Sequence, residues 1–429
     1  MQTESMHALS GFGRPSSSTS GALAGEEISG EMLRERLHEE KQPVHENWWV
    51  ITLFAAAIPM GLCFAFRLSP LRDFMKADTT WSPQLTDRDM QLLDITAIAP
   101  SVMAPVLFGI AIDAAWSLNL ALLICLITSV FAQFFVAMGI AWHSFGLALT
   151  GRFLGGLCIG PILVVADTIA AQFNRRRRAV TFATITAVQA IFVALNTGSW
   201  VTSFTKESLD GEYEKMNDIF LIVTLLSLGV GFLWAPMVSS FDMEDSPKRR
   251  FWKWHVPTSM WALALTQVLY CLFHAGEATS KTSFSWELGS MLVAGPVLGY
   301  VMDRLGLSQS GSLAGCNALI LAICFSVIGA AANQAWLMGL SLGPVMMLLR
   351  CIVPQIASRD CLSTSFGILE GALALGWILY NNIQLTLLGE IACAVLNISL
   401  FALILISIKH KWGQLRLPEL TQPLYGRGG

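Results

Sequence analysis

Apolar stretches of about twenty residues, separated by short polar breaks, follow one another from Trp48 almost to the C-terminus. They cover 48–66, 91–112, 118–141, 146–172, 179–203 and 218–241. A second set covers 258–276, 286–302, 311–331, 336–355, 363–382 and 389–408. About twenty apolar residues cross the hydrocarbon core of a bilayer as a helix, which satisfies its own backbone hydrogen bonds without water. The pattern predicts an all-α membrane protein of twelve transmembrane helices in two sets of six. The expected divisions are a polar tail at 1–47, a six-helix bundle at 48–241, a linker at 242–257, a second bundle at 258–408 and a tail at 409–429. Residues 1–47 are rich in Ser, Gly and charge and hold too little apolar surface to fold alone, so a disordered tail is expected there. No apolar run follows a basic start, so no cleavable leader is expected.

Composition agrees with the pattern: 54% of the 429 residues are hydrophobic, 13% are charged, and the mean hydropathy is +0.57. A soluble domain carries roughly 25% charged residues. The net charge of −3 lacks the basic footprint of a nucleic-acid binder. Eight of the nine cysteines lie in apolar stretches and none forms a C-x-x-C pair, so neither a zinc site nor a redox motif is indicated.

With both termini placed in the cytosol, 18 Lys and Arg fall in cytosolic segments and 7 in the opposite loops. That asymmetry matches the positive-inside rule. The first outer loop, with Arg67, Arg72, Lys76 and Arg88, runs against the trend.

The two halves share a signature. Gly109-Ile-Ala-Ile-Asp113 closes the second stretch and Gly299-Tyr-Val-Met-Asp303-Arg304 closes the eighth. A glycine there lets helices approach closely, and an aspartate four residues on can bond the N-terminal end of a neighbouring helix or a basic loop. With Gly151-Arg152-Phe-Leu-Gly155-Gly156 in the fourth stretch and the Arg175 to Arg178 run after it, these motifs resemble the major facilitator superfamily over residues 48–408. The resemblance implies two pseudo-symmetric six-helix bundles around a cavity that opens alternately to either side.

Phe64-Ala-Phe66 with Pro70, the stretch from Phe182 to Asn196, and Val353-Pro354-Gln355 followed by Thr364-Ser-Phe366-Gly367 resemble the lysosomal dipeptide transporter branch, the proteins similar to major facilitator superfamily domain-containing protein 1. This resemblance implies facilitative export of dipeptides from lysosomes and a glycosylated single-span accessory protein. Three positions depart from the branch pattern: Arg67 replaces an acidic residue, Ala190 an arginine, and Ala114-Ala115-Trp116 a basic run.

Ionisable groups at membrane depth are costly and call for partners. Asp167 and Arg350 stand at equal depth on the fourth and tenth stretches, so they are expected to pair across the bundles as an inner gate. Glu370, on the eleventh, competes for Arg350 within the second bundle, and Arg350 could alternatively grip a substrate carboxylate. Arg152 is a candidate for substrate, proton relay or carbonyl contact. Gln189 and Asn196, two turns apart on one helix face, are cavity candidates. Asp113, Asp303 and Arg304 are gate candidates.

Asp94, His274 and Glu277 stand at outer helix ends. Gly339-Leu-Ser341-Leu-Gly343 has a hydrolase spacing but lies in a helix, away from the strand-turn-helix context that spacing needs. No enzyme activity, cofactor or metal is expected. The expected partners are membrane lipids and a small-molecule substrate, and the expected place is a lysosomal or other endomembrane by resemblance, or the plasma membrane. A carrier of dipeptides or amino-acid-like solutes, a proton-coupled organic-anion carrier, and a transport-inactive receptor or scaffold are the three readings.

Overall fold

The computed structural model describes residues 48–65, 71–173, 177–197, 213–242, 256–277, 289–304 and 335–382, with isolated positions at 323–324 and 328. The tails, residues 243–255 of the linker, the ninth stretch apart from those isolated positions, and the twelfth lie outside the described residues. Among the described residues the chain is helical, with no strand.

The first half begins with α1 (Trp48–Ala65), followed by a short helix α2 (Arg72–Ala77). The second apolar stretch forms two helices, α3 (Asp87–Ile98) and α4 (Pro100–Ala114). Pro100 opens α4 and lacks the N–H that would continue α3, so one predicted span becomes two nearly continuous segments. Thr86 starts α3 with a reciprocal capping box: its side chain accepts from the Asp89 amide, and the Asp89 carboxylate accepts from the Thr86 amide. Next come α5 (Leu118–Ala141), capped by Ser117, then α6 (Phe145–Phe173), α7 (Arg178–Thr197) and α8 (Tyr213–Asp242).

The second half contributes α9 (Thr258–Glu277), a π-helical turn over Ser290–Ala294 that runs into α10 (Gly295–Arg304), then α11 (Ala335–Ile356) and α12 (Leu362–Asn382). Among the described residues, four spans, Asp87–Ala114, Leu118–Ala141, Phe145–Gln172 and Leu362–Leu379, are long and apolar enough to cross a membrane. Large apolar side chains such as Phe131, Phe134 and Leu233 point outward, Leu233 with 80% of its surface exposed. In a bilayer these faces meet lipid. The chain is an integral membrane protein.

The buried core crosses from one half to the other. Val164 and Ala170 of α6 and Phe182 of α7 join Met260 of α9, Leu348 of α11 and Phe366 of α12 in one apolar cluster. Phe182 and Phe366, both fully buried, meet with ring centres 5.9 Å apart. A second cluster lies at the far end of α5. There Leu71, Met75, Trp81 and Leu85, from the connection between α1 and α3, pack on Leu93, Val136 and Phe220. The connection over 71–86 is thus a folded cap, where the sequence pattern showed only a polar break. Arg72 and Lys76, which run against the charge asymmetry, are held by Asp87 at 3.4 and 2.8 Å.

Candidate functional site

Asp113 and Asp303 each cap a helix of the opposite half. Asp113, at the end of α4, accepts from the backbone amides of Ser363 at 3.1 Å and Thr364 at 2.7 Å, and from the Thr364 hydroxyl at 2.7 Å. Asp303, at the end of α10, accepts from the amides of Ala179 at 3.3 Å and Val180 at 2.9 Å. Both carboxylates occupy the first turn of the helix they bond, α12 and α7, where unpaired amides and the helix dipole favour negative charge.

The glycine four residues earlier makes each approach feasible. A Cβ on Gly109 would lie 2.5 Å from the Ser363 carbonyl oxygen, and one on Gly299 would lie 2.7 Å from that of Ala179. The expectation that these aspartates bond neighbouring helix ends is met in both halves, and the partners lie across the two halves. Arg304, placed with them by sequence, instead donates to Tyr300 of its own helix at 2.9 Å and lies over that ring.

Behind this double latch sits a buried charge cluster. Arg350 of α11 places Nε 3.2 Å from Asp167 Oδ2 of α6 and donates through Nη2 to Glu370 Oε1 of α12 at 3.1 Å. The three residues expose 3%, 1% and 5% of their surfaces, so the cluster is closed to solvent. The two arrangements that the sequence left open, a pair across the halves and a pair within the second half, exist together. They are not equal: the Glu370 contact is a hydrogen bond, whereas Asp167 Oδ2 has no hydrogen-bond partner among the described residues. Arg350 Nη1 also lacks one there. Beside it lies a cavity of about 10 Å³ lined by Gln267, Met346, Arg350 and Glu370 among others. That is room for about one water. Gln267 meets the space with an amide that, among the described residues, donates to sulfur alone, at 3.7 Å to Cys271 and 3.8 Å to Met346.

No protein-family model and no curated protein matches this sequence. Solved structures do match. The human organic anion transporter MFSD10 (TETRAN), 17% identical, aligns over 86% of this chain and 100% of its own, with a TM-score of 0.53. The major facilitator superfamily proton:xylose symporter XylE, determined with 6-bromo-6-deoxy-D-glucose bound, is 10% identical and aligns over 85% of this chain and 95% of its own, with a TM-score of 0.59. The chain has the major facilitator fold.

Within that fold, Arg152 lies on α6 toward the end opposite the latches. It donates to the Leu93 carbonyl and to Asp94, each at 3.3 Å, with only 6% of its surface exposed. This joins two sequence candidates, Arg152 and Asp94, and gives the arginine the carbonyl contact foreseen for it. Gln189 is half-buried on α7. Asn196 belongs to the same helix, but its side chain lies outside the described residues, as do those of His274 and Glu277.

The structure also brings together groups that sequence reading passed over. His143, between α5 and α6, places Nε2 3.3 Å from Asp78 Oδ2 and packs edge-on to buried Trp81, with ring centres 5.5 Å apart. His143 has a φ of 50°, uncommon for a residue with a side chain. No local signal links positions so far apart in sequence; only Trp81 amid polar residues hinted at a folded cap. Tyr270 and Ser341 form a buried pair, with oxygens 3.2 Å apart. Ser341 therefore serves α9–α11 packing, as its helical setting implied.

Proposed function

We propose that the chain is a membrane carrier of small polar solutes working by alternating access, with the Asp113 and Asp303 latches as its gate on the cytosolic side. One observation carries the reading: two carboxylates from opposite halves, in matching motifs, each cap the first turn of a helix in the other half. Such contacts are made only while the halves are together at that end. They involve three or fewer hydrogen bonds apiece, so the end can part without unfolding either half. Phe182 against Phe366 supplies the apolar seal between them.

Dipeptides or amino-acid-like compounds are the first substrates to try, on the motif resemblance, and facilitative movement is the first mechanism. An endomembrane setting with both termini cytosolic, and a single-span accessory glycoprotein, belong to the same reading. The second reading is a proton-coupled organic-anion carrier. It is supported by the similarity to MFSD10, an organic anion transporter, and by the buried cluster of ionisable residues.

Uptake of a labelled panel of dipeptides and organic anions into liposomes holding the purified protein tests both, with and without a proton gradient. Saturable dipeptide uptake indifferent to the gradient supports the first reading, and gradient-driven anion uptake the second. No saturable uptake of any compound by folded protein would instead favour a receptor or scaffold, as the departures at Arg67, Ala190 and Ala114 would allow.

A further inference from the structure

The turn that joins α5 to α6, at the end opposite the latches, is built around a residue that its backbone does not favour. The Ser144 amide donates to the Gly139 carbonyl at 2.8 Å and the His143 amide to the Ile140 carbonyl at 3.1 Å. Helix α5 thus ends in a Schellman motif, with His143 in the left-handed position at a φ of 50°. Glycine is the usual occupant there, because a side chain strains that backbone. Such strain persists only where other contacts hold the residue. Here the imidazole makes them. Its Nε2 lies 3.3 Å from Asp78 Oδ2, and the ring stands edge-on to Trp81. Asp78 is aimed in its turn, since its Oδ1 accepts from the Thr80 amide at 2.9 Å and from the Thr80 hydroxyl at 2.6 Å. Exposure of 26% of the His143 side chain and 16% of that of Asp78 gives a proton from water access to the ring.

We infer that His143 and Asp78 form a proton-operated clasp that fastens the cap over 71–86 to the first half of the fold. The apolar residues of the cap pack on α3, α5, α6 and α8, all in that half, so the clasp does not depend on the alternating-access reading. Histidine is the side chain that gains a charge between pH 8 and pH 5. A proton taken from water onto the ring turns the contact into an ion pair. It also places a cation at the C-terminal end of α5, where the helix dipole favours one. Loss of the proton returns it to water and leaves a neutral ring against the carboxylate; no other bond changes. The cap is therefore tight in acid and loosens toward neutral pH, which makes it a sensor of the aqueous phase on its own side.

The other charged groups around the cap act differently. Arg72 and Lys76 of α2 are held by Asp87 of α3. Asp89 accepts from the Thr86 amide and hydroxyl, Asp94 accepts from Arg152 of α6, and Arg88 is exposed. Helix α5 carries no charged residue, and the other acid of α6, Asp167, lies in the cluster with Arg350. The side chains of Asp73 on α2 and of Tyr213, Glu214, Lys215 and Asp218 on α8 lie outside the described residues. Protonating Asp78, Asp87 or Asp89 would weaken the cap, so acid acting on these carboxylates has the opposite sign to acid acting on His143.

Hydrogen exchange of the full chain in lipid nanodiscs, corrected for the intrinsic pH dependence of exchange, reads the amides of residues 72–86. From pH 7.5 to pH 5.5 their protection should rise about fivefold, the upper end for a partly exposed ion pair. His143→Gly removes the imidazole without disturbing the turn, since glycine is the ordinary residue at that position. It should lower protection of 72–86 at pH 5.5 by about the same factor, abolish the pH response and leave α5 and α6 as protected as in the wild type. Asp78→Asn should lose the response as well, and suffices alone if His143→Gly fails to fold. Wild-type protection of 72–86 that stays flat or falls on acidification, or a wild-type response in either variant, would overturn the clasp. A loss of protection that spreads through α5 and α6 would count against it too, because His143 would then serve the fold of the first half rather than the cap.

Discussion

Arg350 holds Asp167 at 3.2 Å across the line between the two halves of the fold, without hydrogen-bond alignment. The same guanidinium makes an aligned bond to Glu370 in its own half. Removing the cation should therefore cost most. Arg350→Met leaves two buried carboxylates facing each other, and breaking a buried pair from one side typically costs about 3–5 kcal/mol. The expected result is a large fall in the thermal midpoint of the purified protein. The triple variant Arg350→Met, Asp167→Asn, Glu370→Gln should recover much of it, because no charge is then left unpaired. No recovery would mean that the cluster stabilises by packing rather than by charge balance.

The glycines of the latch motif give a different kind of test. Gly109→Val and Gly299→Val place atoms where a Cβ already comes within 2.5 and 2.7 Å of backbone carbonyl oxygens. Those oxygens belong to helices of the opposite half, so the clash can be relieved by parting the halves. Both variants should fold, lose transport by at least tenfold and lose protection at the amides of residues 179–180 and 363–364. Wild-type uptake in either variant would show that closure at this end is not part of the cycle.

Much of this arrangement could be read from sequence because it is written locally. The G-x-x-x-D repeat needs only four residues to specify a close approach and a capping carboxylate, and twice-repeated spacing named both aspartates before any geometry. Equal depth on two helices was enough to suggest Asp167 with Arg350, since buried charge must find a partner. What sequence could not weigh was whether Glu370 or Asp167 would win the guanidinium. That depends on how α6, α11 and α12 turn about their axes, which no spacing encodes, and in the event both carboxylates reach it. The contact of Arg304 was unreadable for a related reason: adjacency to Asp303 in sequence does not decide which way a long side chain folds, and Tyr300 one turn back holds it. The cap from Leu71 to Leu85 was missed because its apolar residues follow neither helical nor strand periodicity and find their partners on α3, α5, α6 and α8.

That cap yields the third prediction. Trp81 is 97% buried and carries the contact with His143, which is itself tied to Asp78. Large-to-small changes at a buried tryptophan cost about 3–5 kcal/mol where the site cannot collapse. Trp81→Ala should make the segment between α1 and α3 open to limited proteolysis while leaving cleavage elsewhere unchanged. A cut pattern identical to wild type would show that the cap is held by Leu71, Met75 and Leu85 without it.

Arg152 provides the last. Its Nη2 bond to Asp94 is only part of its anchoring, because Nε also donates to the Leu93 carbonyl one residue away on α3. Asp94 keeps 47% of its side chain in contact with solvent, while the Arg152 side chain keeps 7%. The two ends of the pair are therefore unequal: Asp94→Asn removes a half-wet partner, whereas Arg152→Ala empties a buried site and strips the α3–α6 junction of both bonds. Asp94→Asn is expected to lower stability by about 1 kcal/mol or less, in the range of exposed pairs. Arg152→Ala should cost about 3 kcal/mol or more, as a buried partner lost together with its packing. Arg152→Lys supplies charge without the second directed donor and should fall between them. Equal losses for Asp94→Asn and Arg152→Ala, measured as thermal midpoints in one lipid, would assign the whole effect to the ion pair and none to the carbonyl contact.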